Sequence, residues 1–291
     1  DFSYYVVDRT VGSSTVKYIE RMRSRDLTDV QDSYFVDSGL TLDAPLTITG
    51  FTNADPIVVT ATSHGLSNGD TVDITGIKVV DADTNRGWAY DTEIEGTGYT
   101  VASASTHTFA LQNNGSDVDG SAFKVYHSGG EVREAVTSVG GLWHLEGKAV
   151  VALANGYVVR ELTVTSGSVT LPNAASRVHI GLPYTAEVQS LRVDNGNIGD
   201  TIQGRDKKIS RLSLRFETTL GGWYGPDLDH MREIKYGIAA QYGQTPVWVT
   251  GDKGVTMSPS WNKDGYVVVQ QRDPLPMNLL ALIPDVAVGG N

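Results

Sequence analysis

Cysteine is absent from the 291 residues. That excludes disulfide staples, a cysteine nucleophile, and thiolate zinc or iron–sulfur sites. Positive charge is scarce: 23 Lys and Arg stand against 34 Asp and Glu, for a net charge of −11. A protein that adheres to nucleic acid leans basic, so generic DNA binding is not expected. Long apolar runs are missing as well. No stretch approaches the ~18 residues of a membrane span, so no span is expected. The opening Asp1-Phe2-Ser3-Tyr4-Tyr5 lacks the basic start and apolar core of a signal peptide. It begins directly on a strand pattern, and we expect a piece of a longer chain. Helical periodicity is rare. The segment from Met22 to Tyr34 is polar, with room for one short turn or helix. Asp227 to Tyr236 can be read as a capped helix, but its Gly-rich and β-rich surroundings favour strand or loop.

Glycine is what the sequence has in abundance, at 32 residues, with Thr, Ser and Val beside it. Many short strands joined by tight turns use this composition. Hydrophobic residues at 40% and charged residues at 20% are ordinary globular usage. Tyr4 to Val7 leads through Gly12-Ser13-Ser14 into Thr15 to Glu20, which predicts a hairpin with alternating faces. Asn-Gly and Asp-Gly pairs between β-branched runs at Asn68-Gly69, Asn155-Gly156, Asn195-Gly196 and Asp264-Gly265 signal further hairpins. Ser166-Gly167-Ser168 turns the chain again into Val169-Thr170-Leu171. The expected fold class is all-β: several β-rich modules, of propeller, sandwich or barrel type, with an inserted small β-barrel.

Two shifts in composition divide the chain. Asp43-Ala44-Pro45 precedes a stretch rich in Thr, Gly and Asp that ends at Ser128-Gly129-Gly130. Residues 46–130 are therefore expected to fold as a separate module of about eighty residues, near the small end for an independent domain. Residues 1–45 and 131–291 would form the body, with a sub-boundary near 194–200 at Asp194-Asn195-Gly196-Asn197.

Within the module the chain reads Val58-Val59-Thr60-Ala61-Thr62-Ser63-His64-Gly65-Leu66-Ser67-Asn68-Gly69-Asp70-Thr71-Val72. Gly96-Thr97-Gly98-Tyr99-Thr100-Val101 and Thr106-His107-Thr108-Phe109-Ala110-Leu111 follow. This resembles the first catalytic-cysteine half-domain of ubiquitin-activating enzymes, a small β-barrel that also occurs as an insertion in phage tail proteins. In that family the module is not the catalytic part, so the resemblance implies a spacer or binding module. The rest of the chain resembles the C-terminal part of the tail tubular (nozzle or stabilisation) proteins of short-tailed phages. The matching pieces are Arg9-Thr10-Val11, Val16 to Glu20, Asp37 to Leu40, His144 to Lys148, Ala175 to Tyr184, Thr250-Gly251-Asp252, Pro274-Leu275-Pro276 and Ala281 to Pro284. Their order carries the resemblance. It implies a virion protein of the phage tail whose copies form a ring, a hexamer, together with other tail proteins. DNA would pass through that ring without specific binding.

Several residue groups are candidates for chemistry. Asp81-Ala82-Asp83-Thr84-Asn85-Arg86-Gly87, with Asp91 and Glu93 following, offers alternate oxygens as a calcium loop does. Gly87 falls at the seventh position, though, and Thr92 at the twelfth, so a solvated acidic turn is the competing reading. Calcium is the only cofactor with any support. His64, His107 and His127 have no helical partner at four residues, and His64 before Gly65 reads as a turn residue bonding local backbone. No Gly-x-Ser-x-Gly elbow exists, and nothing selects a pair of carboxylates for glycoside hydrolysis. No enzymatic role is expected.

Arg205, Lys207, Lys208, Arg211 and Arg215 form the one basic segment. If Lys208 to Glu217 is a strand, Leu212, Leu214 and Phe216 share one face, and Arg211 and Arg215 share the other with Ile209 and Ser213. A solvated face is the plain reading. A salt-bridged contact with an acidic neighbouring subunit is the functional one, and phosphate contact ranks below both. Trp223-Tyr224, Trp248 and Trp261 sit near turns, where they could cap small cores or contact carbohydrate. The sequence thus points to a ring-forming structural subunit of the DNA ejection conduit. The alternative is a receptor- or glycan-binding tail module.

Overall fold

The computed structural model describes residues 2–11, 13–81, 86–91, 93–194, 201–236, 246–257 and 260–289. The chain is all-β, built from several sheets. Strands β1 (Tyr4–Val11) and β2 (Ser14–Arg21) lead to β3 (Asp37–Asp43). Next come β4 (Leu46–Thr47), β5 (Gly50–Phe51), β6 (Val58–Thr60), β7 (Thr71–Val80), β8 (Trp88–Tyr90), β9 (Gly96–Ala102), β10 (Thr108–Asn113), β11 (Ser116–Asp117) and β12 (Tyr126–Val139). Then follow β13 (Ala149–Ala154), β14 (Tyr157–Thr163), β15 (Val169–Ala175), β16 (Arg177–Leu182) and β17 (Ala186–Gln189). The chain closes with β18 (Lys207–Thr219), β19 (Trp223–Gly225), β20 (Arg232–Glu233), β21 (Val249–Thr256), β22 (Val268–Gln271) and β23 (Asn278–Val288). Among the described residues, helical structure is limited to three single 3-10 turns. The polar segment 22–34 contains one of them, Val30–Asp32, closed by a capping box between Asp29 and Asp32. Asp227 caps another, Leu228–His230, by accepting from two backbone N–H groups, and β20 follows directly.

The middle of the chain forms a ten-stranded curled sheet in the order β15-β12-β7-β9-β10-β6-β5, with β4, β8 and β11 attached at its margins. Its strands place Val72, Ile74, Ile77, Val101, Phe109 and Leu111 in one buried core. In β7 the alternation breaks at exposed Thr75 and Gly76, where Gly76 has φ +74, and the inward face resumes at Ile77. A side chain at Gly130 would meet Ile77 at 2.6 Å, so glycine is required there for close packing. The core runs from Ile48 to Val132. Residue 130 nevertheless marks no break, because it lies inside β12. That strand pairs with β7 up to Ala135 and with β15 from Val136 to Val139. One strand thus belongs to both the module and the body.

A buried polar knot reinforces the junction. Asp73 accepts from the Gly98 N–H (2.9 Å), the Ser176 hydroxyl (2.5 Å) and the Asn155 amide (3.2 Å). The Asn155 carbonyl oxygen in turn accepts from the N–H groups of Ser176 and Arg177. Beside it Arg133 of β12 binds Asp43 and Glu131. Buried polar groups with this many partners fix relative position, because leaving any one unpaired is costly.

The body contains the sheets β14-β13-β16-β3, β17-β22-β19-β20 and β21-β18-β23. One core gathers around Val150, Ala152, Val178 and Ile180, and another around Leu212, Leu214, Phe216 and Val269. The segment between them includes residues 195–200, so the Asn195-Gly196 turn and most of the 194–200 boundary lie outside the described residues. Asn155-Gly156 is the expected two-residue hairpin turn between β13 and β14, with φ of 48° and 84°. Asn68-Gly69 and Asp264-Gly265 are turns, with Gly69 and Gly265 both at positive φ, but neither joins paired strands. A hairpin turn not expected from the sequence, Asn114-Gly115, connects β10 to β11.

Candidate functional site

The basic segment divides on folding. β18 is the central strand of its sheet, paired to β21 and β23 along its length. Leu212, Leu214 and Phe216 face the core as expected. Ile209 corrects the expectation: it too is buried and joins that core. The register shifts between Ile209 and Arg211, and this bulge changes which side the alternation addresses. Lys207 is 0% exposed, and its ammonium donates to the Lys263 carbonyl at 2.8 Å. It is therefore engaged inside the chain, away from any neighbouring subunit. Arg205 donates to the Gly289 carbonyl (3.2 Å), and Lys208 is half-buried. Arg215 makes a two-pronged ion pair with Asp252 on β21 (2.7 and 2.9 Å). Arg211 lies opposite Asp285 on β23. The outer face thus carries its own counter-charges, which favours the solvated-face reading.

The acidic loop also divides. Asp83, Asn85 and Thr92 lie outside the described residues. Asp81 pairs with Lys124 at 2.8 Å. Asp91 is 4% exposed; its Oδ1 accepts from the Glu93 N–H, while its Oδ2 is buried with no hydrogen-bond partner. Among the described residues no three acidic or histidine side chains converge on a metal-sized point. His64 behaves as the sequence indicated: its Nδ1 accepts from the Leu66 N–H (3.0 Å) beside Gly65 at positive φ. Most of the aromatic candidates are committed to packing. Tyr224 is buried, Trp248 packs on a small core, and Trp223 lies beneath the guanidinium groups of Arg160 and Arg272. Trp261 is exposed.

A different place in the molecule is built like a binding surface. The β1–β2 hairpin pairs over eight residue positions but joins no other sheet. It leans on the body through an ionic cluster and through the Tyr18 ring, which lies 5.8 Å from that of His144. The Arg9 guanidinium donates to both Glu20 carboxylate oxygens (2.9 Å each) and to Asp37 (3.0 Å), and the Ser38 hydroxyl donates to Glu20 (2.7 Å). The hydrogen bonds from Arg9, then from Ser38, hold the Glu20 carboxyl below the usual carboxylate range despite some burial.

Between hairpin and body runs a groove of about 1310 Å³. Its walls include Tyr5, Ile19, Met22, Trp143 and Tyr184, all at least half exposed or nearly so. Its floor continues from β2 along the extended run Arg21-Met22-Arg23-Ser24-Arg25, in which alternate residues are arginines. Arg21 lies over the Phe2 ring (4.8 Å). Arg23 lies over the Tyr34 ring (4.9 Å) and bonds the Thr41 hydroxyl. Burial pushes the Tyr34 and Tyr184 hydroxyls up; Arg23 opposes this at Tyr34 and Arg25 at Tyr184. The groove's acids are already matched: Asp8 pairs with Lys17, and Glu20 and Asp37 with Arg9. Among the described residues, Arg21, Arg23 and Arg25 have no carboxylate partner within ion-pair distance. Aromatic side chains, methionine and arginine are the residues enriched where proteins meet. The signal was present in the sequence as arginines at period two beside a strand. No helix among the described residues is long and apolar enough to cross a membrane. No protein-family model matches the chain, and no curated protein matches it.

Proposed function

We propose that the chain is a structural subunit of a phage tail, of the ring-forming nozzle or tail tube type, contributing to the conduit for DNA ejection. The role is mechanical and electrostatic. Copies close into a ring through contacts between unlike faces, and carboxylates towards the lumen repel the phosphate backbone so that the duplex slides. The observation that carries this reading is spatial. Five of the eight separate pieces on which the resemblance to tail tubular proteins rests meet in the fold. Arg9 on β1, Glu20 on β2, and Asp37 and Ser38 at the start of β3 interlock, and His144 Nε2 bonds the Ser38 carbonyl at 2.7 Å. Gly181 on β16 lies against the same turn, where a side chain would meet the Asp37 carbonyl at 2.7 Å. A mutual structural need of this kind explains why these pieces occur together. The chain's net charge of −11 suits a surface past which DNA must move without being held.

Immunogold electron microscopy of purified particles with antibody to this chain tests the proposal. Label at the tail, below the capsid vertex, supports it. Label confined to tail fibres would favour a receptor-binding module, and unlabelled particles would reject a virion role.

A further inference from the structure

We propose that the arginine groove beneath the β1–β2 hairpin docks the acidic tip of the curled-sheet module of a second copy. The charge of the chain is unevenly placed. Residues 46–130 hold ten of the 34 acids and three of the 23 bases, and so carry −7 of the net −11. Within that module all three bases are engaged: the Lys124 ammonium pairs with Asp81, and Lys78 and Arg86 lie against the ring of Trp88. The loop holding Asp55 runs beside the β10–β11 hairpin, tied to it by the Gly120 N–H to the Ala54 carbonyl and the Ile57 N–H to the Val118 carbonyl. Asp55, Asp117 and Asp119 are exposed at this tip, and among the described residues none has a basic partner. Asp117 bonds only the neutral Gln112 amide, and Asp119 the Ser121 N–H.

Three unmatched carboxylates on one surface therefore answer three unmatched guanidiniums, Arg21, Arg23 and Arg25, on another. The two surfaces belong to different parts of the fold: β5, β6, β10 and β11 lie in the curled sheet, and the groove lies between the separate β1–β2 hairpin and the body. Groove and tip are unlike surfaces of the chain, so repeating their contact from copy to copy in one direction closes into a ring or extends as a filament. The exposed aromatic and methionine walls supply the apolar part of the interface and the charges its register.

This contact deepens the ring-forming reading, and its test is separate from the particle label. The full chain is compared with R21E/R23E/R25E and with D55K/D117K/D119K by sedimentation velocity at low and high salt. Circular dichroism and melting curves check folding. The neutral R21Q/R23Q/R25Q replaces the reversal if that variant does not fold, and its loss of association is then the readout in place of the mixture. The wild type is expected to self-associate at low salt and to dissociate as salt rises. Each charge-reversed variant should lose association at least about tenfold, and an equimolar mixture of the two should restore it, since each then presents the other's complement. A wild type that stays monomeric, folded variants that associate as before, or a mixture that fails to restore association would overturn the proposal. A groove that binds labelled duplex DNA, with that binding lost in R21E/R23E/R25E and no self-association, would overturn it in favour of a nucleic-acid site. Failed docking with tail-located label would leave the nozzle reading standing on another interface.

Discussion

The hairpin β1–β2 and the curled-sheet module are both antiparallel and fully paired, yet they are held by different forces. In the module sixteen residues, from Ile48 to Val132, form one buried core. In the hairpin no described residue is buried, and Ile19 is 77% exposed. Backbone pairing alone leaves a two-stranded ribbon marginal in water. The module is held by burial, which contributes roughly 1.5–3 kcal/mol for each large side chain fully removed from water. The hairpin is held by the Arg9–Glu20–Asp37 cluster and by the Tyr18 ring against His144. Hydrogen-bond pattern thus describes both regions alike, and burial separates them. On the docking account, the hairpin's open face is where assembly adds what the isolated chain lacks.

The sharpest way to break this comparison is to empty the module core. Phe109→Ala, at a position 0% exposed, should cost about 3–5 kcal/mol in urea unfolding. Ile19→Ala in the hairpin should stay within about 0.5 kcal/mol of wild type. Next in size is the junction. Asp73→Ala strands the Gly98 N–H, the Ser176 hydroxyl and the Asn155 amide and should cost about 2–4 kcal/mol. If β12 and this knot together couple module to body, the single unfolding transition should split or broaden in the variant. A smaller effect concerns the body surface that faces the hairpin. His179 on β16 bonds the Gln31 carbonyl and the Thr41 hydroxyl, and burial holds its pKa below the ordinary histidine value. A depressed folded value means the neutral form is favoured. Stability is then full above the ordinary value and declines as pH falls through it towards the folded one. The melting temperature should drop on acidification from neutrality, and His179→Gln should flatten that slope. Smallest is Glu20→Gln, which loosens the hairpin's ionic anchor. Global stability should change by less than about 1 kcal/mol, while hydrogen exchange in β1 and β2 quickens.

The all-β class and many of the strands were legible because strand alternation and turn chemistry are local. Asn155-Gly156 adopts the left-handed pair that a two-residue hairpin demands. Partner choice is not local. Asn68-Gly69 carries the same signal and turns the chain, yet β6 pairs with β5 and β10 instead of β7. Ile209 shows a second limit. A bulge costs one residue of register and exchanges the faces of a strand, and no period-two reading anticipates where it falls. Lys207 shows a third. A lysine among four other bases reads as surface, but a carbonyl aimed at its ammonium makes a buried berth that only the folded chain reveals. The arginine groove was half legible: Arg21, Arg23 and Arg25 alternate visibly, but their lack of counter-charges, beside the neutralised Arg215, depends on which strands become neighbours.

Native-state hydrogen exchange on the dilute chain and on its low-salt assembly tests the central contrast most directly. The account predicts that β7 and β12 amides exchange slowly in both states. The β1 and β2 amides should exchange by local opening in the dilute chain and become protected on assembly. Hairpin amides already as protected as those of β7 in the dilute monomer, or unchanged when copies associate, would contradict it.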